Sequence, residues 1–310
     1  MKSFILSSPA KLNLYLQVLN KRVDGFHNIK TLFERIDLAD EITFTLNRKG
    51  TISVSCSHPH VPTGPKNLVY KVAQLLQQDY NVPYGVDIKI KKRIPVAAGL
   101  AGGSTNAATA LQGLNRLWKL GLSRSKLISY ACQIGSDVAF FLHDCSWALG
   151  TERGDKIKKV NLKRKLWHIL VVPRVRLYSG RVYEALKLQL TPSAGASVST
   201  LKRPKQKKEG GTNVLTKRTD NVNIFVHYIK KNNSLKVGKL LSNDLEPAIL
   251  KICPKLLNLK KRLKSLNTQG VMISGSGPSV FGLVENEKEA KRIKSLLSKR
   301  YSQVFVVRTL

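Results

Sequence analysis

The pattern of hydrophobic and polar positions predicts a chain of mixed strands and helices. Period-two alternation or a short apolar run predicts strands near residues 4–19 (in two parts), 42–45, 52–55, 86–91, 147–150, 166–172, 271–274, 280–284 and 304–307. Helical spacing of apolar residues predicts helices near 66–79, directly after the glycines at 102–103, and near 123–132, 183–186, 222–230, 234–241, 254–266 and 286–298. Because the strands and helices do not alternate regularly, the pattern favours an α+β fold over a doubly wound parallel sheet.

The strongest local signal is the glycine-rich segment Ile94–Leu111, which follows a strand and precedes a helix. Its glycines let the backbone close around a bulky anion, and a helix start offers unpaired N–H groups at a positive end. The segment therefore predicts a phosphate-binding loop. It matches neither G-x-x-x-x-G-K-[ST] nor G-x-G-x-x-G. The alternative is a turn that only joins strand to helix, with Ser104 and Thr105 as N-cap residues.

Two polar residues, Lys11 and Asn13, share one side of the first predicted strand, between apolar neighbours. A lysine in such surroundings is costly to bury unless it meets an anion. The pair is therefore a candidate for contact with a charged ligand. The alternative is a lysine at an exposed strand edge.

A single acid, Asp137, precedes an apolar run in the segment Gly135–Phe141. Such a carboxylate is either a helix N-cap or a buried functional acid. A second segment, Asp24–Asn28, is typical of a turn and presents an aromatic ring and a histidine side by side. Its alternative is an ordinary hairpin tip.

Two more short segments could contribute to a site. Ser274–Ser279 lies between two predicted strands, where it is either a plain hairpin turn or a source of N–H groups for a phosphate. Asn243–Pro247 is predicted to end a helix, where it would cap or orient neighbouring groups.

Length and composition narrow the class of protein. At 310 residues the chain favours two domains, and its 42% hydrophobic content is enough for packed cores. No apolar run approaches the ~18 residues of a membrane span, and the first residues lack the length of a signal peptide. The four cysteines have no paired spacing, which predicts reduced thiols, no metal site and a cytoplasmic location.

The net charge of +34 is concentrated in the second half of the chain. Residues 155–265 carry 27 basic and 6 acidic side chains, and the densest part lies within 191–218, which is predicted to be an exposed loop. Basic surfaces attract nucleic acids, and the alternative is a solvated surface of no specific function. Residues 191–218 contain no aromatic residue to stack on bases, which disfavours a nucleic-acid-binding protein.

The motifs taken in order resemble those of a known superfamily. PAKLNL (9–14), AGLAGGSTNAATAL (98–111) and SGSGPSVFGL (274–283) are similar to the three motifs of the GHMP kinases. With DGFH (24–27), GSDVAFFL (135–142) and NDLEPA (243–248), the chain resembles the family of 4-diphosphocytidyl-2-C-methyl-D-erythritol kinases within that superfamily. The resemblance extends from about residue 4 to residue 283. Phe26 departs from the tyrosine that is usual in the family, which removes a hydroxyl but keeps an aromatic ring.

The resemblance implies the fold and the activity. It implies an N-terminal ATP-binding domain at 1–155 with a ribosomal-protein-S5-like fold, and a ferredoxin-like C-terminal domain at 156–310. The implied reaction moves the γ-phosphoryl group of ATP to the 2-hydroxyl of 4-diphosphocytidyl-2-C-methyl-D-erythritol, in the non-mevalonate route to isoprenoid precursors. The alternative is another GHMP-type kinase, for a mevalonate-like or homoserine-like substrate.

The resemblance also implies roles for individual residues. Asp137 would take the proton from the substrate hydroxyl, while Lys11 beside it would keep that carboxylate ionised and lower the pKa of the hydroxyl. Substrate contacts would come from Asn13, Phe26 and His27. The ATP phosphates would be held by Pro95, Val96, Ala97, Ala98, Gly99, Leu100, Ala101, Gly102, Gly103, Ser104 and Thr105, and closed from the second domain by Gly275, Ser276 and Gly277.

The implied partners are small molecules. ATP would be the co-substrate with Mg²⁺, for which Ser104 is the one candidate ligand, and the acceptor would be the cytidyl-diphospho-methylerythritol. The resemblance implies no membrane and no specific nucleic acid as a partner, and a monomer or weak homodimer. The segment 172–180 is expected on the substrate side.

Overall fold

The computed structural model describes residues 3–190 and 214–310 as two sheets with flanking helices. The strands are β1 (Ser3–Lys21), β2 (His27–Asn47), β3 (Ile52–Cys56), β4 (Gly85–Lys91), β5 (Trp147–Thr151), β6 (Lys156–Lys159), β7 (Trp167–Val171), β8 (Ser242–Asn243), β9 (Gly270–Ile273), β10 (Val280–Val284) and β11 (Val304–Arg308). The helices are α1 (Leu68–Asp79), α2 (Gly102–Leu117), α3 (Arg124–Ile134), α4 (Val138–Leu142), α5 (Ser179–Leu190), α6 (Val214–Lys230), α7 (Ser234–Leu240), α8 (Glu246–Ile252), α9 (Lys255–Lys264) and α10 (Glu287–Ser298). The mixed composition confirms the predicted α+β class.

The first sheet has a long antiparallel hairpin, β1–β2, at its centre. Its strand order is β3-β4-β2-β1-β8, and β5 pairs with β2 and with β6. In place of the predicted break, the first strand is continuous and has three register shifts against β2, of which two lie between Pro9 and Lys11 and between Asn13 and Tyr15. Such irregularities change the direction of nearby side chains. These two lie on either side of the two polar residues that the sequence singled out.

The second sheet is antiparallel, with the order β11-β7-β10-β9. Leaving aside the elements between β7 and α9, the chain runs strand, helix, two strands, helix, strand, which is the ferredoxin-like arrangement. The predicted hairpin at 271–284 is confirmed as β9 and β10, and the predicted last helix and strand are α10 and β11.

Several expectations need correction or lie outside the described residues. The segment 243–247 does not end a helix, because Asn243 closes β8 and Glu246 begins α8. The sequence does not predict the short elements β6, β8, α4 and α8, or the part of β2 before residue 42. The basic loop predicted at 191–218 lies outside the described residues over 191–213, and over 214–218 it is helical, as the start of α6. The first sheet continues past residue 155, because β6 pairs with β5.

A shared apolar core joins the two sheets. It contains Leu12 and Leu14 of β1, Leu100 of the glycine-rich segment, and Leu170 and Phe281 of the second sheet, all buried. Burial of such side chains contributes roughly 1.5–3 kcal/mol each. The glycine-rich segment is therefore anchored by its own apolar residues between the two sheets.

The described part of the chain, residues 3–190 and 214–310, contains no helix with the length and apolar character needed to cross a bilayer.

Candidate active site

A cavity of about 720 Å³ lies where the two sheets meet. Its lining comes from β1, the turn between β1 and β2, residues 60–68, the glycine-rich segment with the start of α2, residues 136–137, the start of α5 and the 275–276 turn. All but two of the residues predicted for the site line this cavity. The exceptions are Thr105 and Gly277.

Lys11 is buried at the floor of this cavity, with only 4% of its surface exposed. Its ammonium donates to Asn13 Oδ1 over 2.5 Å and lies 3.4 Å from Asp137 Oδ2. It also lies over the ring of Phe33, 5.4 Å from the centroid. The predicted contact of this lysine with an anion is thus made in part by a protein carboxylate. The exposed-edge alternative is wrong, because Lys11 is buried, with β2 on one side of it and the Leu100 carbonyl accepting its backbone N–H on the other.

Asn13 holds Lys11 rather than projecting freely into the cavity. Its amide Nδ2 donates to Thr31 Oγ1 over 2.7 Å, and that hydroxyl donates to the Tyr15 carbonyl over 2.7 Å. The amide oxygen is therefore fixed in the orientation that accepts from the lysine. Asn13 remains at the cavity wall, where its role toward a substrate stays a prediction.

Asp137 matches neither of the two sequence-based alternatives in full. It occupies the position before α4, but its side chain makes no capping hydrogen bond. The carboxylate is 30% exposed, and it lines the cavity. It is thus neither a cap nor a buried acid, but an accessible carboxylate beside a buried ammonium. That placement suits proton transfer to or from a bound hydroxyl.

The glycine-rich segment forms a tight loop that leads into α2. Gly99 has a φ of 74°, and Ala97 and Ala101 have φ values of 53° and 56°. Left-handed backbone at a non-glycine residue costs about 1–3 kcal/mol and is concentrated at functional sites. Alternation of left- and right-handed residues turns successive N–H groups toward one side, which makes an anion-binding concavity. The α2 helix adds its unpaired N–H groups at the same place.

Contacts from both sheets hold this loop in place. The backbone N–H of Lys11 donates to the Leu100 carbonyl over 3.2 Å. The Ser274 hydroxyl donates to the Gly99 carbonyl over 3.2 Å. A Cβ atom on Gly99 would lie 2.3 Å from the Ser274 carbonyl oxygen, so glycine is the residue that permits this approach. The second domain therefore lies directly against the loop.

The two predicted site residues outside the cavity have structural contacts instead. Thr105 is fully buried, and its hydroxyl accepts from Ser8 Oγ over 3.1 Å. Gly277 lies behind Gly99, where a Cβ on Gly99 would be 2.9 Å from the Gly277 amide nitrogen. Both residues support the loop from the side away from the cavity. Gly275 and Ser276 do line the cavity, and a Cβ on Gly275 would lie 3.6 Å from Lys11 Nζ.

The turn between β1 and β2 brings aromatic groups to the other end of the cavity. The His27 ring stacks on Tyr183 of α5, with centroids 5.1 Å apart and an angle of 22°. Phe26 is 53% exposed and lies under the Arg153 guanidinium, 5.4 Å away. Burial, together with the negative charge of Asp137, raises the pKa of the Tyr183 phenol to about 12. The phenol is therefore protonated at neutral pH.

Several cavity residues were missed by the sequence analysis. They include Lys92, Asn106, Arg153, Tyr183 and the residues between 60 and 68. The segment expected on the substrate side does reach the cavity, through Leu177, Tyr178, Ser179 and Gly180. Lys92 could have been found from the alternation in β4. Val86, Ile88 and Ile90 are buried on one side of the strand, and residue 92 is next on that side. Tyr183 could not have been found in this way, because its contact with His27 joins the two domains.

The donors at the cavity fit a Mg²⁺ ion that is held mainly by phosphates. Ser104 and Asp137 line the cavity with a hydroxyl and a carboxylate oxygen. Among the side chains that the structure describes, those of residues 3–186 and 222–310, no group of three or more His, Cys, Asp or Glu is arranged to hold a metal. Mg²⁺ commonly binds through one or two protein oxygens together with substrate phosphates and water.

Comparison with known proteins agrees with this geometry. The family model for the N-terminal domain of GHMP kinases matches residues 67–144, and that for their C-terminal domain matches residues 225–303. The chain is 38% identical to the 4-diphosphocytidyl-2-C-methyl-D-erythritol kinase of Shouchella clausii (strain KSM-K16), over 99% of this chain and 94% of the relative.

Solved structures show the same fold. A crystal structure of 4-(cytidine 5'-diphospho)-2C-methyl-D-erythritol kinase superposes with a TM-score of 0.76 at 26% identity, over 99% of this chain and 100% of that one. Homoserine kinase from Cytophaga hutchinsonii has a TM-score of 0.71 at 19% identity, over 99% of this chain and 94% of that one. At this identity the likeness shows a shared fold only. The chain belongs to the GHMP kinases and, within them, to the family of 4-diphosphocytidyl-2-C-methyl-D-erythritol kinases.

Proposed function

We propose that the chain transfers the γ-phosphoryl group of ATP to the 2-hydroxyl of 4-diphosphocytidyl-2-C-methyl-D-erythritol. The observation that carries this proposal is the Lys11–Asp137 pair, 3.4 Å apart, in the same cavity as the glycine-rich loop. Membership of the family supports the identity of the acceptor. The cytoplasmic location and the monomeric or weakly dimeric state stay predictions from the sequence.

The residues divide the chemistry between them. Asp137 accepts the proton of the acceptor hydroxyl as its oxygen bonds to the γ-phosphorus, and the bond to the β-phosphate oxygen breaks to release ADP. The Lys11 ammonium stabilises the negative charge on the attacking oxygen and on the transferred group. Because Lys11 is held by Asn13, it contributes this charge without reorganising.

The glycine-rich loop and α2 would bind the ATP phosphates. The residues from Pro95 to Ser104 line the cavity, and those after the proline offer backbone N–H groups near the positive end of the helix. Mg²⁺, when bound to the phosphates, neutralises part of their charge and polarises the transferred group. Ser104 is the residue that would hold it, through its hydroxyl.

The aromatic end of the cavity would bind the cytidyl group. Phe26, His27 and Tyr183 supply flat apolar faces for a base, and His27 adds hydrogen-bonding nitrogens. The hydroxyl absent from Phe26 removes one donor at this end.

The direct test is ATP consumption by the purified chain with Mg²⁺ and one of three alcohols. We expect turnover with 4-diphosphocytidyl-2-C-methyl-D-erythritol and none with mevalonate or homoserine. Turnover with mevalonate or homoserine alone would assign the chain to another GHMP-type kinase activity. Absence of turnover with all three would contradict the proposed acceptor.

Truncation of Tyr183 to alanine is expected to raise KM for the cytidyl substrate about tenfold. The substitution removes the ring that stacks on His27, and aromatic contacts with a base are worth about 1–3 kcal/mol. KM for ATP is expected to stay within about twofold. Tyr84→Ala is the control and is expected to leave both KM values unchanged, because Tyr84 is an exposed tyrosine outside the cavity. Equal changes in KM for both substrates would contradict base binding by Tyr183.

A further inference from the structure

One buried carboxylate, that of Asp40 in β2, binds to both ends of the glycine-rich loop. Asp40 is fully buried and does not line the cavity. Its Oδ1 accepts from the backbone N–H groups of Arg93 and Ile94, over 2.7 and 2.8 Å. These two residues lead directly into the loop.

The second oxygen of the same carboxylate contacts the other end of the loop. Oδ2 accepts from Asn106 Nδ2 over 2.9 Å and from Lys92 Nζ over 2.6 Å. Asn106 lies in the second turn of α2 and also donates to Ser8 Oγ over 2.9 Å. A single side chain thus sets the separation between the strand that enters the loop and the helix that leaves it.

Lys92 places a buried positive charge beside the start of α2. The Lys92 side chain is 5% exposed, and its ammonium would be 2.9 Å from a Cβ on Gly102, the first residue of α2. A cation at the positive end of a helix is unfavourable without a compensating anion. Burial lowers the pKa of the ammonium, an effect that Asp40 opposes. Among the described side chains, at 3–186 and 222–310, Asp40 is the one carboxylate in an ion pair with Lys92.

We propose that Asp40 is a positioning residue for phosphate binding, which fixes the glycine-rich loop and the Lys92 ammonium in the geometry that receives the ATP phosphates. The proposal rests on the proposed function, because it assigns ATP to this loop. Asp40 acts through the loop and touches no substrate. A carboxylate is needed because four donors converge on it, and an amide at this position would direct a donor of its own at two of them.

The test compares Asp40→Asn with a matched control, Glu34→Gln. Glu34 is also a fully buried carboxylate, but it binds His168 and Thr309 at 2.8 and 2.5 Å, away from the cavity. For each variant we would measure KM for ATP, KM for the alcohol, and the shift in unfolding temperature that ATP produces. Asp40→Asn is expected to lower kcat/KM for ATP about 10- to 100-fold.

The proposal is tested by which KM changes in which variant. A rise in KM for ATP in Asp40→Asn, with KM for the alcohol within about twofold and with Glu34→Gln unchanged in both, supports the proposal. Equal effects of the two variants on KM for ATP, or no effect of Asp40→Asn, overturn it. A wild-type chain whose unfolding temperature does not respond to ATP contradicts the proposed function instead.

A second variant keeps the proposal testable if Asp40→Asn does not fold. Asp40→Asn combined with Lys92→Met removes both charges of the buried pair, which avoids an unpaired buried charge. We expect Asp40→Ala combined with Lys92→Met to bind ATP several-fold more weakly than this double variant, because the asparagine oxygen can still accept from the backbone N–H groups of Arg93 and Ile94 and alanine has no acceptor. Equal binding by these two variants overturns the proposed positioning of the loop.

Discussion

Replacement of Asp137 by asparagine is expected to lower kcat about 100- to 10,000-fold, the usual contribution of a positioned proton acceptor. The amide keeps the size of the side chain but cannot accept the proton of the acceptor hydroxyl at neutral pH. Asp137 makes no capping hydrogen bond to α4 and is 30% exposed, so the fold is expected to tolerate the change. Single-turnover measurement of ADP formation gives the rate of the chemical step.

ATP binding and an exposed acid provide the controls for this substitution. The affinity for ATP is expected to change little, because the loop and α2 bind the phosphates through backbone groups. Asp144→Asn, which alters an exposed acid in the same part of the chain but outside the cavity, is expected to keep full activity. A kcat for Asp137→Asn within about threefold of wild type would refute the role of Asp137 as the base.

The parts of the site that could be predicted are those encoded over a few consecutive residues. The loop and helix at Ile94–Leu111 were predicted from glycines beside an amphipathic pattern, and the structure places Gly102 at the start of α2. Lys11 and Asn13 were placed on one side of a strand by alternation alone, and the structure joins them by a hydrogen bond. Local patterns of this kind survive folding because the loop and β1 are anchored by their own apolar residues.

Contacts across domains could not be predicted. The stacking of His27 on Tyr183 and the approach of Gly99 to Ser274 depend on how the second sheet lies against the first. The helix start at Glu246 was missed because a two-residue strand precedes it, and no periodicity develops over so few residues. Thr105 was assigned to the phosphates by its place in the motif, but its helix phase directs it toward Ser8.

The Asp40–Lys92 ion pair can be predicted from the sequence only in part. Asp40 has the same parity in β2 as the buried residues Ile42 and Phe44, and Lys92 continues the buried side of β4. Two opposite charges on the inward sides of neighbouring strands predict a buried ion pair, since neither could be buried alone at reasonable cost. What the pattern does not contain is the pair's contact with the backbone at Arg93 and Ile94, which depends on the turn after β4.

The second large effect is expected from a substitution at Gly99, where the two domains approach each other closely. Gly99→Ala is expected to lower kcat/KM for ATP by at least about tenfold and to lower the unfolding temperature, because overpacking costs about 1–3 kcal/mol. The new Cβ would lie 2.3 Å from the Ser274 carbonyl oxygen, and backbone atoms cannot move aside as a flexible side chain can. The loop or the 275–276 turn must therefore shift, and both line the cavity.

The backbone conformation of Gly99 also contributes to the cost, and Gly121 isolates that contribution. Gly121 has a φ of 66°, close to the 74° of Gly99, but no atom lies within 4 Å of its Cβ position. Gly121→Ala is therefore expected to lose about 1–2 kcal/mol from left-handed strain alone and to keep its activity. Thermal unfolding and ATP kinetics on both variants separate the two causes. Equal losses of stability, with activity preserved in both, would mean that the contact between Gly99 and Ser274 does not hold the phosphate loop in place.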